Sequence, residues 1–129
     1  MIVRQNIWHP RYGIMPGFGA MSYNGLLDVF TATATAALEY GALPYAAGII
    51  DNHFKFYVRD DGMVWHQSQE LPATARMLTV LANAYQYGGN GSLVLQHFEK
   101  AKAAALLLIA RHALLRTTLL LTNDVLLHA

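Results

Sequence analysis

Apolar residues recur along this chain at spacings of three and four positions, which places them on one face of an α-helix. Residues that favour helix ends interrupt the pattern, with serine or proline at the starts and glycine at the stops. The pattern predicts four helices, which run approximately between the following residues: Ser22 and Gly41, Pro44 and Tyr57, Pro72 and Tyr87, and Ser92 and Leu108. Residues 117–129 either continue the fourth helix or form a short fifth one.

The connections between these helices alternate in length. Long polar segments precede the first and third helices, whereas a few residues join the first helix to the second and the third to the fourth. Since each short turn makes an antiparallel pair, both long loops are expected on one face. We predict an all-α fold of two antiparallel helical hairpins plus a C-terminal helix. Its predicted parts are a loop (1–21), hairpin 1 (22–58), a second loop (59–71), hairpin 2 (72–115) and a tail (116–129).

Two short phrases recur in the two predicted hairpins. Tyr40-Gly41 is followed by His53-Phe54, and Tyr87-Gly88 is followed by His97-Phe98, with offsets of 47 and 44 residues between the copies. These offsets lie within the range of stacked helix-pair repeats, so the pattern predicts a helical-hairpin repeat. Because the two histidines occupy equivalent positions, we expect packing roles for them.

The composition is apolar for a domain of 129 residues. Hydrophobic residues make up 54% of the chain and charged residues 13%, compared with about 25% charged in typical soluble domains. Either the chain buries an unusually large part of itself or its surface meets a partner. The net charge of +1 argues against nucleic acid, which requires a clustered basic face. The absence of cysteine excludes disulfides and thiol chemistry.

The most apolar stretch of the sequence runs from Ala103 to Leu121. Arg111, His112 and Arg116 interrupt this stretch, and each arginine at the centre of a membrane span costs roughly 2.5–3.5 kcal/mol on insertion scales. We therefore expect a helix buried between neighbouring helices and no membrane span.

Several phrases of the sequence resemble one segment of a six-hairpin glycosidase. These enzymes are (α/α)6 toroids with recurring phrases of the type DG, helix, Y-x-Y-T-G-D, helix, H-x-x-K-A. The resemblance covers roughly residues 8–112, and Phe18–Asp28 is similar to the preceding hairpin of that fold. The phrases that carry it are Asp60-Asp61-Gly62-Met63-Val64-Trp65, Glu70-Leu71-Pro72-Ala73-Thr74-Ala75-Arg76-Met77-Leu78, Tyr85-Gln86-Tyr87-Gly88-Gly89-Asn90 and His97-Phe98-Glu99-Lys100-Ala101-Lys102.

The resemblance implies that the chain is part of an (α/α)6 toroid-like array. Twelve helices with ordinary loops need at least roughly 200 residues, and the four or five helices predicted here supply about a third of a ring. The tail from Thr117 to Val125 no longer matches the family phrases. We interpret the chain as a fragment, a truncated product, or a subunit that completes its ring by self-association or with the remaining hairpins of a larger chain.

The resemblance places a glycoside site on the long-loop face, where hydrolysis requires two carboxyl groups on opposite sides of the scissile bond. Asp28, Asp61 and Glu70 are the candidate catalytic acids. For each of these three acids, the alternative is a purely structural role. Glu70 precedes a helix and is favoured there by the helix dipole, whereas Asp60-Asp61-Gly62 is typical of a turn. Asp28 is either an inward polar group or part of a solvated face.

Aromatic and polar residues in or beside the two long loops are candidates for binding a sugar, because an aromatic ring stacks on the apolar face of a sugar. Burial of each tryptophan as an anchor for its loop is the alternative. Alternation at Met63-Val64-Trp65 predicts a short extended segment. No histidine pair has metal-ligand spacing with a nearby carboxylate, so we expect no metal and no cofactor. The candidate substrate-binding residues are Trp8, Arg11, Tyr23, Trp65 and His66.

Two functional hypotheses follow. The first is a carbohydrate-active, glycoside hydrolase-like fragment whose ligand is a carbohydrate, with an inactive remnant of such an enzyme as a variant of it. The second is a non-catalytic helical-repeat module that binds protein through apolar helices. A sugar site explains why tryptophan, arginine, histidine and acids gather on one face, and an interaction module does not. Because a missing hairpin could carry one of the two carboxylates, hydrolysis by this chain alone is not expected.

Overall fold

The structure is a computed structural model that describes residues 6–9, 13–16, 27–65, 69–88 and 91–127, with side chains in 30–65, 69–88 and 91–117. Its helices confirm the predicted helical class. In the described part of the chain the elements are β1 (Asn6–His9), β2 (Gly13–Pro16), α1 (Leu27–Glu39), α2 (Leu43–Phe56), α3 (Leu71–Gly88), α4 (Ser92–Gln96) and α5 (Phe98–Leu127).

The N-terminal segment predicted as a loop contains a small antiparallel β-hairpin. Strand β1 pairs with β2 in a register that runs from Asn6 opposite Pro16 to His9 opposite Gly13. Strand β2 contacts both α1 and α2. The glycines and prolines of this region led to the prediction of an irregular loop, but Gly13 and Pro16 belong to strand β2.

The turn between α1 and α2 is set by a glycine, as the sequence predicted. Gly41 has a φ of +75°, and its N–H donates to the Leu38 carbonyl at 3.0 Å while the Ala42 N–H donates to the Ala37 carbonyl at 2.8 Å. These two hydrogen bonds form a Schellman motif. Pro44 lies in the first turn of α2, where its missing N–H costs nothing. The first helical hairpin is therefore confirmed in its described part.

The second hairpin differs from the prediction at one residue. The sequence pattern predicts an uninterrupted helix from Ser92, but the structure has a short α4 that ends at Gln96 and a separate α5 that starts at Phe98. His97 lies between them with φ −109° and ψ 13°, outside the helical region. The C-terminal tail continues α5 to Leu127, so the alternative of a separate fifth helix in the tail is wrong.

The core lies between α1, α2 and α3. Alanines at 34, 37 and 46 are completely buried, and such small residues allow helices to approach closely. Helix α5 packs on α3, yet its one fully buried apolar side chain among the described residues is Ala104. From Ile109 to Thr117 every residue of α5 is exposed, so the expectation that this apolar stretch is buried between neighbouring helices is wrong there. The main buried cluster consists of Val58 and Val64 of the second loop and thirteen helical residues: Phe30, Ala34, Ala37, Leu38, Ala46, Ile49, Ile50, Phe54, Ala73, Met77, Val80, Leu81 and Ala84. None of the described helical residues forms a segment long and apolar enough to cross a membrane.

The second loop touches α5 through a glycine. Gly62 is buried and has a φ of +82°. A Cβ atom at this position would overlap the backbone nitrogen and Cα of Ala104. The loop and α5 are therefore in direct backbone contact, and both the positive φ and the close approach require glycine at this position.

We expect Gly62→Ala to destabilise the fold by about 3 kcal/mol or more, because it combines backbone strain with overpacking. The matched control is Gly41→Ala, which has a similar positive φ but no atom within 4 Å of the added Cβ. It should cost about 1–2 kcal/mol from strain alone. Urea unfolding of both variants measures the difference. Equal losses for the two variants would contradict the contact with α5.

Candidate functional site

The second loop folds back on itself directly after α2. The Arg59 N–H donates to the Met63 carbonyl at 3.0 Å, and the Trp65 N–H donates to the Tyr57 carbonyl at 2.8 Å. Val58 and Val64 form an isolated antiparallel bridge, which confirms extended structure near the predicted segment. The Asp61 carboxylate accepts the Met63 N–H at 3.0 Å, as in an Asx turn. The structural interpretation of Asp60-Asp61-Gly62 as a turn is therefore confirmed.

A buried threonine of α3 holds this loop from the other side. The Thr74 side chain has no exposed surface, and its hydroxyl accepts the Val64 N–H at 3.0 Å and donates to the Glu70 carbonyl at 2.9 Å. Both are buried or partly buried hydrogen bonds, whose loss leaves polar groups without water to replace the partner. Thr74 thus fixes the position of Val64 and of the adjacent Trp65.

A lysine of α5 holds the end of α2. The Lys100 ammonium donates to the carbonyls of Phe54 and Val58 at 2.9 and 2.6 Å, and it lies 3.9 Å from the Asp60 carboxylate. A cation at a helix C-terminus satisfies carbonyls that have no helical partner and interacts favourably with the helix dipole. Lys100 therefore joins α5, the end of α2 and the second loop.

These contacts surround an open cavity of about 510 Å³, which is within the size range of small-molecule sites. Trp65 lines one side of this cavity, and its side chain is partly exposed, at 41%. The Arg59 guanidinium carbon lies 5.4 Å from the centre of the Trp65 ring, a cation–π distance. The Arg59 Nε lies 3.9 Å from an Asp61 carboxylate oxygen. The lining residues are Lys55, Phe56, Tyr57, Val58, Arg59, Asp60, Asp61, Trp65 and Lys100.

Charges around the cavity are nearly balanced. Lys55, Arg59 and Lys100 bring three cations, and Asp60 and Asp61 bring two carboxylates. Each lysine already has a close acceptor, since Lys55 also contacts an Asp51 oxygen at 2.6 Å and Lys100 contacts two carbonyls. This arrangement presents hydrogen-bond donors and acceptors side by side and favours a neutral polar ligand over a strongly charged one.

The structure brings together only part of the predicted site. Asp61 and Trp65 both line the cavity, whereas Glu70 is not among its lining residues. Glu70 immediately precedes α3, where its N–H donates to the Val64 carbonyl at 3.0 Å and its carbonyl accepts the Thr74 N–H at 3.0 Å. A placement at a helix start agrees with the structural interpretation of Glu70.

The other predicted site residues are described only in part or lie outside the described residues. The backbone of Trp8 belongs to β1, opposite Ile14, and Asp28 belongs to the first turn of α1, but their side chains lie outside the description. Arg11, Tyr23 and His66 lie outside the described residues.

Two of the nine residues that line the cavity, Asp61 and Trp65, were predicted from the sequence as site residues. Lys55, Tyr57, Arg59 and Lys100 are among the lining residues that were not predicted. Lys100 belongs to the phrase His97-Phe98-Glu99-Lys100-Ala101 that carries the glycosidase resemblance, and this was the one available signal. It lies more than 40 residues from its partners Phe54 and Val58. Local spacing could not reveal that contact.

A second polar cluster lies next to this cavity, at the joint between α4 and α5. One oxygen of Asp51 contacts Gln96 Nε2 at 2.7 Å and His97 Nε2 at 3.1 Å. The His97 ring stacks on Phe54 with ring centres 4.6 Å apart, and the ring of His53 stacks between Phe30 and Tyr57. Both histidines are buried. Their predicted packing role is confirmed.

Burial lowers the pKa of His97 below its ordinary value of 6.5, although the charge of Asp51 and its hydrogen bond act in the opposite direction. The nearby cations Lys100 and Lys55 also lower the pKa. The native state therefore favours the neutral imidazole.

Within the part of the chain that the structure describes, no group of three histidine or acidic side chains is arranged to hold a metal ion.

Comparisons with models of protein families, with curated proteins and with solved structures found no match to this chain. The resemblance to six-hairpin glycosidases therefore stays a prediction, carried by the phrases named above. The cavity has to be interpreted from its own side chains.

The lowered pKa of His97 predicts that acidification destabilises the protein. The unfolded chain takes up a proton near pH 6.5, before the native state does, so stability is complete above that pH and falls as the pH decreases through 6.5 toward the lowered native pKa. Thermal melts between pH 8 and pH 5 should show a smaller decrease for His97→Gln than for the wild type. His112→Gln, at an exposed position of α5, should behave like the wild type. An undiminished decrease in His97→Gln would contradict the prediction.

Proposed function

We propose that this chain binds a neutral carbohydrate in the cavity formed by the second loop, the end of α2 and the start of α5. The observation that carries the proposal is the partly exposed Trp65 ring at the edge of a cavity of about 510 Å³. The same cavity is lined by the side chains of Arg59 and Asp61. A sugar ring has an apolar face for the aromatic ring and hydroxyl groups that both donate and accept hydrogen bonds.

The anchoring of the loop supports binding without a large rearrangement. Thr74 holds Val64 through a buried hydrogen bond, and Lys100 holds the carbonyls at the end of α2. Since the backbone on both sides of the cavity is already fixed, little conformational entropy is lost when a ligand binds. The Arg59 side chain lies over the Trp65 ring. When a sugar stacks on the same face of this ring, the Arg59 side chain has to move aside or contact the sugar.

We propose binding without hydrolysis by this chain alone. Glycoside hydrolysis requires an acid and a second carboxylate about 5–9.5 Å apart across the scissile bond. Asp61 participates in a turn through the Met63 N–H, Asp60 is fully exposed to water, and Glu70 is not among the residues that line the cavity.

We also propose that the two hairpins form part of an (α/α)6 toroid-like array. In its support, short connections follow α1 and α3, whereas a longer connection follows α2. The cavity lies on this longer connection, as the six-hairpin resemblance implies. In such an array, further hairpins would border the cavity and could supply the missing carboxylate.

The alternative function, a non-catalytic helical-repeat module that binds protein, is favoured by a different observation. Leu106, Ile109 and Leu114 on α5 are all more than half exposed. Exposed apolar side chains on one helix are typical of an interaction surface. The two functions use different parts of the molecule and do not exclude each other.

Substitution of Trp65 tests the carbohydrate proposal directly. In a Trp8→Phe background, Trp65 is the one remaining tryptophan, and its fluorescence should change as glucose-, mannose- and N-acetylglucosamine-containing mono- and disaccharides are titrated. By calorimetry, Trp65→Ala should weaken binding of the responsive sugar about tenfold, through loss of the stacking contact.

Tyr85→Ala is the matched control, because it removes an exposed aromatic side chain of α3 that does not line the cavity. It should leave sugar affinity unchanged. If no sugar alters the fluorescence or heat of binding, or if both alanine variants lose affinity equally, the proposed site is wrong.

The absence of turnover is a separate prediction. With nitrophenyl glycosides of the same sugars, the purified chain should release no nitrophenol above the rate in buffer, because no second carboxylate among the described side chains is suitably placed. Asp61→Asn and Glu70→Gln should behave identically to the wild type. Hydrolysis that either substitution abolishes would show that the chain forms a complete catalytic pair.

A further inference from the structure

One ammonium group in the wall of the cavity has a hydrogen-bond donor that the protein does not use. Lys100 has three N–H donors, and two of them bind the carbonyls of Phe54 and Val58, at 2.9 and 2.6 Å. The Asp60 carboxylate is also close, but its Oδ1 atom lies 3.9 Å from Nζ, which is too long for a hydrogen bond. Within the described part of the chain, the third N–H of Lys100 therefore has no direct acceptor.

The gap between Lys100 and Asp60 has the size of one hydroxyl group. A hydroxyl oxygen about 2.8 Å from the lysine nitrogen and about 2.7 Å from the carboxylate oxygen fits between two atoms that are 3.9 Å apart. Such a hydroxyl accepts a hydrogen bond from the ammonium and donates one to the carboxylate, and a hydroxyl can do both at the same time. Because both protein groups are charged, both hydrogen bonds belong to the stronger kind.

Lys100 is held in position more firmly than the other cations that line the cavity. Its two carbonyl contacts fix Nζ between the end of α2 and the start of α5, while the side chain stays partly exposed. Arg59 lies over the Trp65 ring, and its side chain is exposed. Lys55 is bound to Asp51 on the surface of α2. The ammonium of Lys100 is thus the cation whose place is set by the backbone before a ligand binds.

We propose that one hydroxyl group of the bound sugar lies between Lys100 and Asp60, where it accepts a hydrogen bond from the ammonium and donates one to the carboxylate. This inference rests on the carbohydrate proposal and adds to it the residue that selects the orientation of the sugar. Stacking on Trp65 leaves the sugar free to turn in the plane of the contact, whereas a hydroxyl bound to Lys100 fixes that turn. A site built to bind a hydroxyl discriminates against an analogue that lacks it.

Monodeoxy sugars test this inference one hydroxyl at a time. Calorimetry with the full chain measures the affinities of glucose, mannose and N-acetylglucosamine, and of derivatives that each lack one hydroxyl group. For the sugar that binds, removal of one particular hydroxyl should weaken binding about tenfold, because a group bonded to two charged side chains is lost. Equal affinities across the deoxy series overturn this inference alone when the parent sugar still binds through Trp65. Absence of any sugar binding overturns the carbohydrate proposal as well.

Two variants assign the sensitive hydroxyl to its partners. In Lys100→Met and in Asp60→Ala, removal of that same hydroxyl should weaken binding only about two- to threefold, because a protein partner is already missing. Lys102→Met is the matched control, since Lys102 is an exposed residue of α5 that does not line the cavity. It should keep the tenfold effect.

Asp60 is fully exposed, so Asp60→Ala tests the inference without removing a contact between helices. Lys100→Met removes the contacts with two carbonyls, and circular dichroism checks that it folds. A tenfold effect that persists in either folded variant overturns the inference. So does a result in which the two variants become insensitive to different hydroxyls, because one hydroxyl has to bind both residues.

Discussion

The contact between Gly62 and the backbone of Ala104 is the constraint on which the cavity depends. Because residue 62 has no Cβ, the turn of the second loop lies directly on α5. That approach brings Lys100, four residues before Ala104, within reach of the carbonyls at the end of α2. The cavity is then bounded by Lys100 on one side and by Trp65 on the other.

Polar side chains in this protein connect elements whose relative positions apolar packing alone would not fix. Thr74 joins α3 to the second loop, Lys100 joins α5 to α2, and Asp51 joins α2 to the joint at His97. Each of these hydrogen bonds is at least partly buried, so breaking it leaves polar groups without a hydrogen-bond partner. Arg59, Asp61 and Trp65 contribute exposed side chains to the lining of the cavity.

The sequence correctly predicted those turns and helix ends that are determined by the residues immediately around them. Gly41 produces its Schellman turn and Pro44 its helix start because φ preferences and missing donors act within a few residues. Of the predicted site, Asp61 and Trp65 lie together because both belong to one tight loop. The break at His97 was not predictable in this way, since His97 contacts Asp51 and Phe54 more than 40 residues away.

The sequence by itself determined the helical class, the positions of most helix ends and the loop that carries Asp61 and Trp65. These follow from periodicity, capping and turn preferences, which act over one or two turns of chain. Tertiary structure alone decided that Lys100 and Tyr57 border the cavity, that Glu70 stays outside it, and that α5 leaves Ile109 and Leu114 exposed. Those outcomes depend on which helices pack against each other. Such packing brings together residues that are far apart in the sequence, and no pattern of neighbouring residues indicates it.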